Sequence, residues 1–367
     1  MAGERTSLLR RQRLRHATYG DLGQLDQIEL MGLRNDSAVR RRIRIVGTGV
    51  AMPSNAVTST ELDVRLGLAD GTVERKTGVS RRYVESRRNA AELGAEAARC
   101  ALDAAGLGLD DIDCVVAASG TPDQPLPYNA ALIHEALGFR SRGTPAFDVN
   151  ASCLSFLMAL DTTSYLIDAR RYRRILIVSS DIGSPGLDWS HLEASGIFGD
   201  GAAAAIVEHA EHSNSGILAS SFATFSEGAH FCEIKGGGSR YPASGGEGFP
   251  ALAQFRMNGK AVFRLVSQHL PAFVERLVHD AGVCVADIPV VVPHQASDHG
   301  LDYVRRALDL RDDQLVDIFA THGNQIGASM PSALHAAIAS GQLRRGDTTL
   351  LLGSSAGVSL GGMVLCY

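Results

Sequence analysis

The chain has 367 residues, 45% of them hydrophobic and 20% charged, with a formal net charge of −5 at pH 7. That length buries a large core, as two domains or one duplicated unit, without disulfide or metal staples. The acidic balance excludes bulk attraction to nucleic acid or anionic membrane, and no apolar run approaches the roughly 20 residues a membrane-spanning helix needs.

The opening residues 1–42 read as a basic extension set apart from the rest. Residues 1–44 hold ten arginines and five acidic residues with weak periodicity. Tyr19 is the one phenylalanine, tyrosine or tryptophan among these arginines, too little aromatic interleaving for a nucleic-acid-binding arm, which favours a dispensable extension. No signal-peptide apolar core follows Met1. The six cysteines, Cys100, Cys114, Cys153, Cys232, Cys284 and Cys366, show no CxxC spacing. Free thiols in a reducing cytoplasm are the expectation.

From Ile43 the pattern is α/β. Ile43–Gly49 reads as a strand ending in a glycine turn. Gly47 and Gly49 resemble the start of a dinucleotide fingerprint, but no third glycine follows at the right spacing, so no nucleotide cofactor is expected. An alanine-rich helix over 90–106, a buried strand over 113–119 and a helix over 129–137 come next. The apolar segment Ala146–Val149 then turns at Asn150-Ala151-Ser152 into a helical run with Cys153 in its first turn. Strands over 174–180 and 202–207 complete a first set.

A second set repeats the order β-α-β-α-β-β. Val290-Val291-Val292-Pro293-His294 matches the strand over 113–119, Val316–Ala320 is the next predicted strand, and Thr321–Asn324 is its turn. A helix from Ser332, a strand over 348–352, a turn at Ser354–Gly357 and a strand over 360–367 close the chain. The split falls near residue 215, giving halves 43–215 and 216–367. A duplicated α/β chain brings equivalent turns together at the carboxyl ends of its strands, where such sheets bind ligands.

Three polar turns therefore define the candidate site. Cys153 faces unpaired N–H groups and the positive end of a helix dipole, which favours thiolate, the nucleophilic form. His294 supplies a proton-transfer or hydrogen-bonding partner, and Asn324 a neutral donor for an oxyanion. The Ser354–Gly357 turn adds backbone N–H groups.

These residues lie in motifs that resemble the ketoacyl-acyl-carrier-protein synthase III family of the thiolase superfamily. The resemblance rests on Ile45–Gly49, Lys76-Thr77-Gly78-Val79, Thr121-Pro122-Asp123, Phe147–Cys153, Phe198-Gly199-Asp200-Gly201-Ala202, Pro293-His294-Gln295-Ala296, and Gly323-Asn324 followed by Ala328-Ser329-Met330-Pro331. It covers residues 43–367. It implies a thiolase fold, with two βαβαββ halves forming a five-layered αβαβα sandwich, and a homodimer.

The implied activity is a decarboxylative Claisen condensation. Cys153 takes an acyl primer from acyl-CoA or another acyl thioester, and malonyl on acyl carrier protein then condenses with it. His294 and Asn324 stabilise the enolate, and the N–H groups of Cys153, Ala356 and Gly357 hold the oxyanion. The implied cofactor list is empty, with no metal. By the same resemblance Phe198 and Leu126 shape the acyl pocket, Leu126 by reaching into the partner subunit, and Arg264 and Arg306 meet the carrier protein.

The chain departs from the family at its coenzyme A grip. Thr72 and Lys76 replace a tryptophan–arginine pair, and Ser297 and His299 stand where asparagine and arginine are usual. Trp189, the single tryptophan, is expected to be structural. Two alternatives follow: an acyltransferase without condensation, and a condensing enzyme for a dicarboxylic primer in biotin-precursor synthesis.

Overall fold

The computed structural model describes residues 41–139, 143–211, 213–244, 246 and 248–367. Most of the basic extension, residues 1–40, thus lies outside the described residues. The first half begins with β1 (Ile43–Ala51) and a small hairpin of β2 (Ala56–Thr58) and β3 (Arg81–Tyr83). There follow α1 (Ala90–Ala105), β4 (Cys114–Ala117), α2 (Asn129–Leu137), β5 (Ala146–Asp148), α3 (Ser155–Asp168), β6 (Arg174–Asp181) and β7 (Gly201–His209). The second half runs through β8 (Gly216–Thr224), a two-stranded ribbon of β9 (Cys232–Glu233) and β10 (Arg256–Met257), α4 (Gly259–Ala281), β11 (Val290–Pro293), α5 (Asp298–Ala307), α6 (Ser329–Ala339), β12 (Thr348–Ser355) and β13 (Ser359–Cys366).

The two sheets show the repeat directly. The first is ordered β1-β7-β6-β4-β5 and the second β11-β12-β13-β8. Matching β1 with β8, β4 with β11, β6 with β12 and β7 with β13 preserves every parallel and antiparallel pairing. Apolar side chains of α3 (Phe156, Leu160) and α6 (Met330, Leu334) pack with Ile45 and Ile177 of one sheet and Leu351 and Met363 of the other. These two helices are the middle layer. Helices α1 and α2 cover the outer face of the first sheet, and α4 and α5 that of the second. The result is the αβαβα sandwich.

Local chemistry explains the elements that matter. Asn89 caps α1 reciprocally with Glu92, and Gly106 in the left-handed region ends it. Gly47 and Gly49 let α1 lie almost on the backbone of β1: a Cβ at Gly49 would sit 2.4 Å from both the Ala97 carbonyl oxygen and the Ala101 nitrogen. Those glycines serve helix packing.

One predicted strand fails. Val316–Ala320 contributes no strand: only Leu315 bridges to Val291, and Phe319–His322 form a helical turn. The buried Gln295 side chain takes the bonds a strand neighbour would make, with Nε2 donating to the Val316 carbonyl at 3.0 Å and Oε1 accepting from the Ile318 N–H at 2.9 Å. Asp317 accepts from the Phe319 N–H at 2.9 Å and starts the helical turn.

Candidate active site

Cys153 sits on a turn that the backbone alone would not adopt. Ser152 has φ 54°, in the left-handed region. Asn150 Oδ1 accepts from the Ser152 N–H at 2.9 Å, and Ser155 Oγ accepts from the Ala151 N–H at 2.9 Å while donating to the Ser152 carbonyl at 2.6 Å. These bonds offset the strain and aim the thiol. Cys153 lies ahead of α3, whose N-cap is Leu154, rather than within its first turn.

The expectation of a favoured thiolate is also corrected. Burial pushes the Cys153 thiol up to about 12, the charges of Asp181 and Cys232 add to that, and hydrogen bonds from the N–H groups of Cys153 and Ala356 work against it. Desolvation outweighs the helix end because the thiol is enclosed in apolar surroundings. Asp181, which ends β6, is one cause. Its Oδ1 accepts from the Gly120 N–H, the Thr121 N–H and the Thr121 hydroxyl, each at 2.8 Å, and its Oδ2 from the Ala328 N–H at 3.1 Å. Burial raises this carboxyl to about 6 against those donors. One side chain thereby ties the loop after β4 to the segment leading into α6.

His294 follows β11 directly, so strand pairing fixes its backbone: its N–H donates to the Leu352 carbonyl at 2.8 Å. Burial lowers its imidazole to about 4, which keeps it neutral near pH 7. Nδ1 lies 2.5 Å from Ser329 Oγ, at the start of α6, and that hydroxyl is also 3.1 Å from the Ile326 carbonyl. When the serine donates to Nδ1, the ring carries its proton on Nε2. When it donates to Ile326 instead, it accepts from Nδ1 and leaves Nε2 as a base.

Asn324 is held by its own neighbours. Its N–H donates to the Ile197 carbonyl at 2.8 Å, and the Gly199 N–H donates to its carbonyl at 3.2 Å. Its Oδ1 accepts from the Ile326 N–H at 2.8 Å, which fixes the carboxamide so that Nδ2 is the end left for a ligand, its one other contact being the Ala296 carbonyl at 3.3 Å. Ile326 itself has φ 55°, a rare conformation for a β-branched residue. Its side chain fills the space beside Gly120 and Gly183, where a Cβ would come within 2.8 Å of it.

All three residues line one cavity of about 440 Å³, together with Phe198, Ala356 and Cys232. Phe198 packs edge-on against Phe255 with ring centroids 5.2 Å apart. Gly357 does not line the cavity; with φ 125° it shapes the turn that presents Ala356. Leu126 lies outside this chain's cavity and is 81% exposed. Arg264 and Arg306 are exposed on α4 and α5, the helices whose other faces form the cavity wall. Trp189 packs beside Val57, Leu62 and Val73.

Sequence reasoning missed Asp181, Ser329 and Cys232 as parts of the site. A carboxylate closing the strand whose centre is the apolar run Ile175–Val178 was the available signal for the first, and Ser329 lay in one of the family-like motifs without a role. Among the described residues no group of three or more His, Cys, Asp or Glu could hold a metal ion, and no helix is long and apolar enough to cross a membrane.

The chain and its fold are similar to those of known proteins. Residues 147–226 match the family model of 3-oxoacyl-acyl-carrier-protein synthase III, and residues 278–367 match that of its C-terminal part. The beta-ketoacyl-acyl-carrier-protein synthase III of Erythrobacter litoralis is 34% identical over 333 residues, covering 89% of this chain and 99% of that protein. The solved synthase III of Pseudomonas aeruginosa superposes with a TM-score of 0.81 at 29% identity, covering 89% and 98%. A priming beta-ketosynthase of the R1128 polyketide pathway superposes with a TM-score of 0.79 at 26% identity, covering 89% and 97%.

Proposed function

Because the chain belongs to the beta-ketoacyl-acyl-carrier-protein synthase III family, we propose that Cys153, His294 and Asn324 perform a decarboxylative condensation of an acyl primer with malonyl on acyl carrier protein. The observation that carries this reading is the shared cavity, in which the N–H groups of Cys153 and Ala356 already converge on the sulfur.

The thiol stays protonated until a thioester arrives. As Sγ attacks the thioester carbonyl, its proton passes to neutral His294 and the new S–C bond forms. The oxyanion is held by the Cys153 and Ala356 N–H groups, and the departing thiolate takes the proton back from His294. His294 then changes tautomer by exchange with solvent, losing its Nδ1 proton and gaining one at Nε2 as Ser329 turns to donate to Nδ1, and malonyl thioester binds with its carbonyl oxygen between His294 Nε2–H and Asn324 Nδ2. Its C–C bond to the carboxylate breaks, carbon dioxide leaves, and the electron pair becomes an enolate held by those two donors. The enolate carbon attacks the acyl-cysteine, forming the new C–C bond and expelling the Cys153 thiolate, which takes up from solvent the one proton the overall reaction consumes. Every donor is neutral and preplaced, so charge is stabilised where it develops.

Arg264 and Arg306 offer cations beside the cavity to an acidic carrier protein. Leu126 and Tyr128, exposed at 81% and 47%, offer an apolar contact for a second copy, through which Leu126 would reach the neighbour's pocket. Incubation with an acyl thioester and malonyl-carrier protein should release carbon dioxide and yield a β-ketoacyl product, read by mass. Acylation of Cys153 without carbon dioxide release, whichever primer is used, would instead establish simple acyl transfer.

A further inference from the structure

Both donors proposed for the enolate hang from one short turn. The Ile326 N–H fixes the Asn324 carboxamide by donating to its Oδ1 at 2.8 Å. Ser329 Oγ, 2.5 Å from His294 Nδ1, lies 3.1 Å from the Ile326 carbonyl. Ile326–Ala328 form a single 3-10 turn, and Ile326 enters it at φ 55°. A β-branched residue holds that conformation only where its surroundings impose it. Those surroundings belong to the first half of the chain.

Asp181 ends β6 and is fully buried. Its Oδ2 accepts from the Ala328 N–H at 3.1 Å, while its Oδ1 accepts from the N–H groups of Gly120 and Thr121 and from the Thr121 hydroxyl, each at 2.8 Å. The contact is close by construction: a Cβ at Gly327 would lie 3.0 Å from Asp181 Oδ2 and 3.2 Å from the Ala118 carbonyl oxygen. All four donors are neutral, and between them they engage both carboxyl oxygens. An amide accepts at one oxygen only and would turn its own N–H groups toward a donor, so these surroundings demand a carboxylate. Gly120 and Thr121 line the cavity with Cys153, so one side chain joins the surroundings of the nucleophile to those of the donors.

We propose that Asp181 is a positioning residue for the condensation: by holding the Ile326–Ala328 turn it sets Asn324 Nδ2 and His294 Nε2 in place beside Cys153, without lining the cavity itself. This rests on the reading of His294 and Asn324 as the enolate donors. The carboxylate acts in the opposite sense on the nucleophile, because its charge is one cause of the raised Cys153 thiol. Its loss should therefore misplace the donors yet ease ionisation of the thiol, whereas a general loosening of the fold would weaken both functions.

The test follows Asp181→Asn, an exchange of equal shape, through two rates. Malonyl-carrier decarboxylation should fall about 10- to 10²-fold, the scale of a group displaced by about 1 Å. Alkylation of Cys153 by iodoacetamide, read on its peptide by mass, should be no slower than in the parent chain. Gly327→Ala, which pushes the turn off an intact carboxylate, should lower decarboxylation too, and it decides the matter if Asp181→Asn does not fold. The effect of either change should shrink where His294 or Asn324 is already replaced by alanine, since one donor fewer is left to place. Unchanged decarboxylation in both variants overturns the inference. So does a parallel fall in alkylation, or a decarboxylation loss that multiplies in full in both alanine backgrounds. Parent-rate decarboxylation in His294→Ala and Asn324→Ala themselves would instead sink the proposed function, and this inference with it.

Discussion

The two halves of the molecule share one plan and have diverged in opposite directions. The first keeps all five strands and carries the proposed nucleophile, Cys153, on a tight turn. The second reduces the strand equivalent to β5 to a single bridge at Leu315, gives its ladder bonds to the Gln295 side chain, and carries the polar donors His294 and Asn324. A nucleophile needs one fixed direction, which a complete sheet edge and the bonded Ser152 turn supply. The donors proposed for a developing enolate need room in front of them, and the cavity beside them is lined by α4, α5 and the ribbon of β9 and β10. Duplication provides the symmetric frame, and the asymmetry of the copies makes the site.

Removing the nucleophile breaks this division of labour most completely. Cys153→Ala should lower condensation by roughly 10⁴-fold or more and leave no acyl-enzyme by intact mass. Unimpaired turnover in that variant would remove the first half from the chemistry. His294→Ala and Asn324→Ala should each cut malonyl-carrier decarboxylation by about 10²- to 10³-fold, as loss of an oxyanion donor does; Asn324→Ala should still take up acyl on Cys153 at the parent rate, and His294→Ala should take it up more slowly because His294 also receives the thiol proton. Loss of self-acylation alone in either variant would mean the halves exchange roles.

Gln295→Leu probes the trimmed strand itself. It strands the Val316 carbonyl and the Ile318 N–H in the interior, so a stability loss of about 2–4 kcal/mol is expected in urea unfolding. A loss below about 0.5 kcal/mol would show that the second half does not depend on that side chain.

The halves should also differ in the sign of their pH dependence. His294 is lowered to about 4 from 6.5, so between those values the unfolded chain binds more protons and stability rises with pH. Asp181 is raised to about 6 from 3.8, so in its window the folded chain binds more protons and stability falls as pH rises. Between about pH 4.5 and 6, Asp181→Asn should therefore steepen the rise of the urea midpoint with pH, and His294→Gln should flatten or reverse it. Slopes that move the same way in both variants would contradict these assignments. The smallest effect is expected from Tyr303→Phe, which removes the hydroxyl that donates to the Ser267 carbonyl at 2.8 Å and with it about 1 kcal/mol of stability, read as a small drop in melting temperature.

Much of this was legible in the sequence because it follows from periodicity. The helix at Asn129–Leu137 and the strands before Cys153 and His294 emerge as predicted, since their apolar spacing and bounding turns agree with their tertiary use. The convergence of Cys153, His294 and Asn324 on one cavity was legible because each follows a mostly apolar run in the sequence. The failures share one cause. Val316–Ala320 has strand propensity, but a side chain from 21 to 23 residues away claims its backbone. The thiolate expectation counted the helix end and omitted the enclosure that only the assembled halves create. Asp181 and Ser329 act through partners distant in sequence, which no local pattern encodes.

Arg41 is the first of the described residues and is tied into the body of the protein. Its backbone bridges Ile217, its guanidinium reaches Asp161 at 2.7 Å and Ser220 at 2.6 Å, and it lies 4.3 Å from the centre of the Tyr165 ring. Asp161 and Tyr165 belong to α3 and Ser220 to β8, so one buried cation stitches the seam between the copies. A fusion grafted at residue 43, where hydrophobic alternation begins, would cut that stitch, and one grafted at residue 40 would spare it.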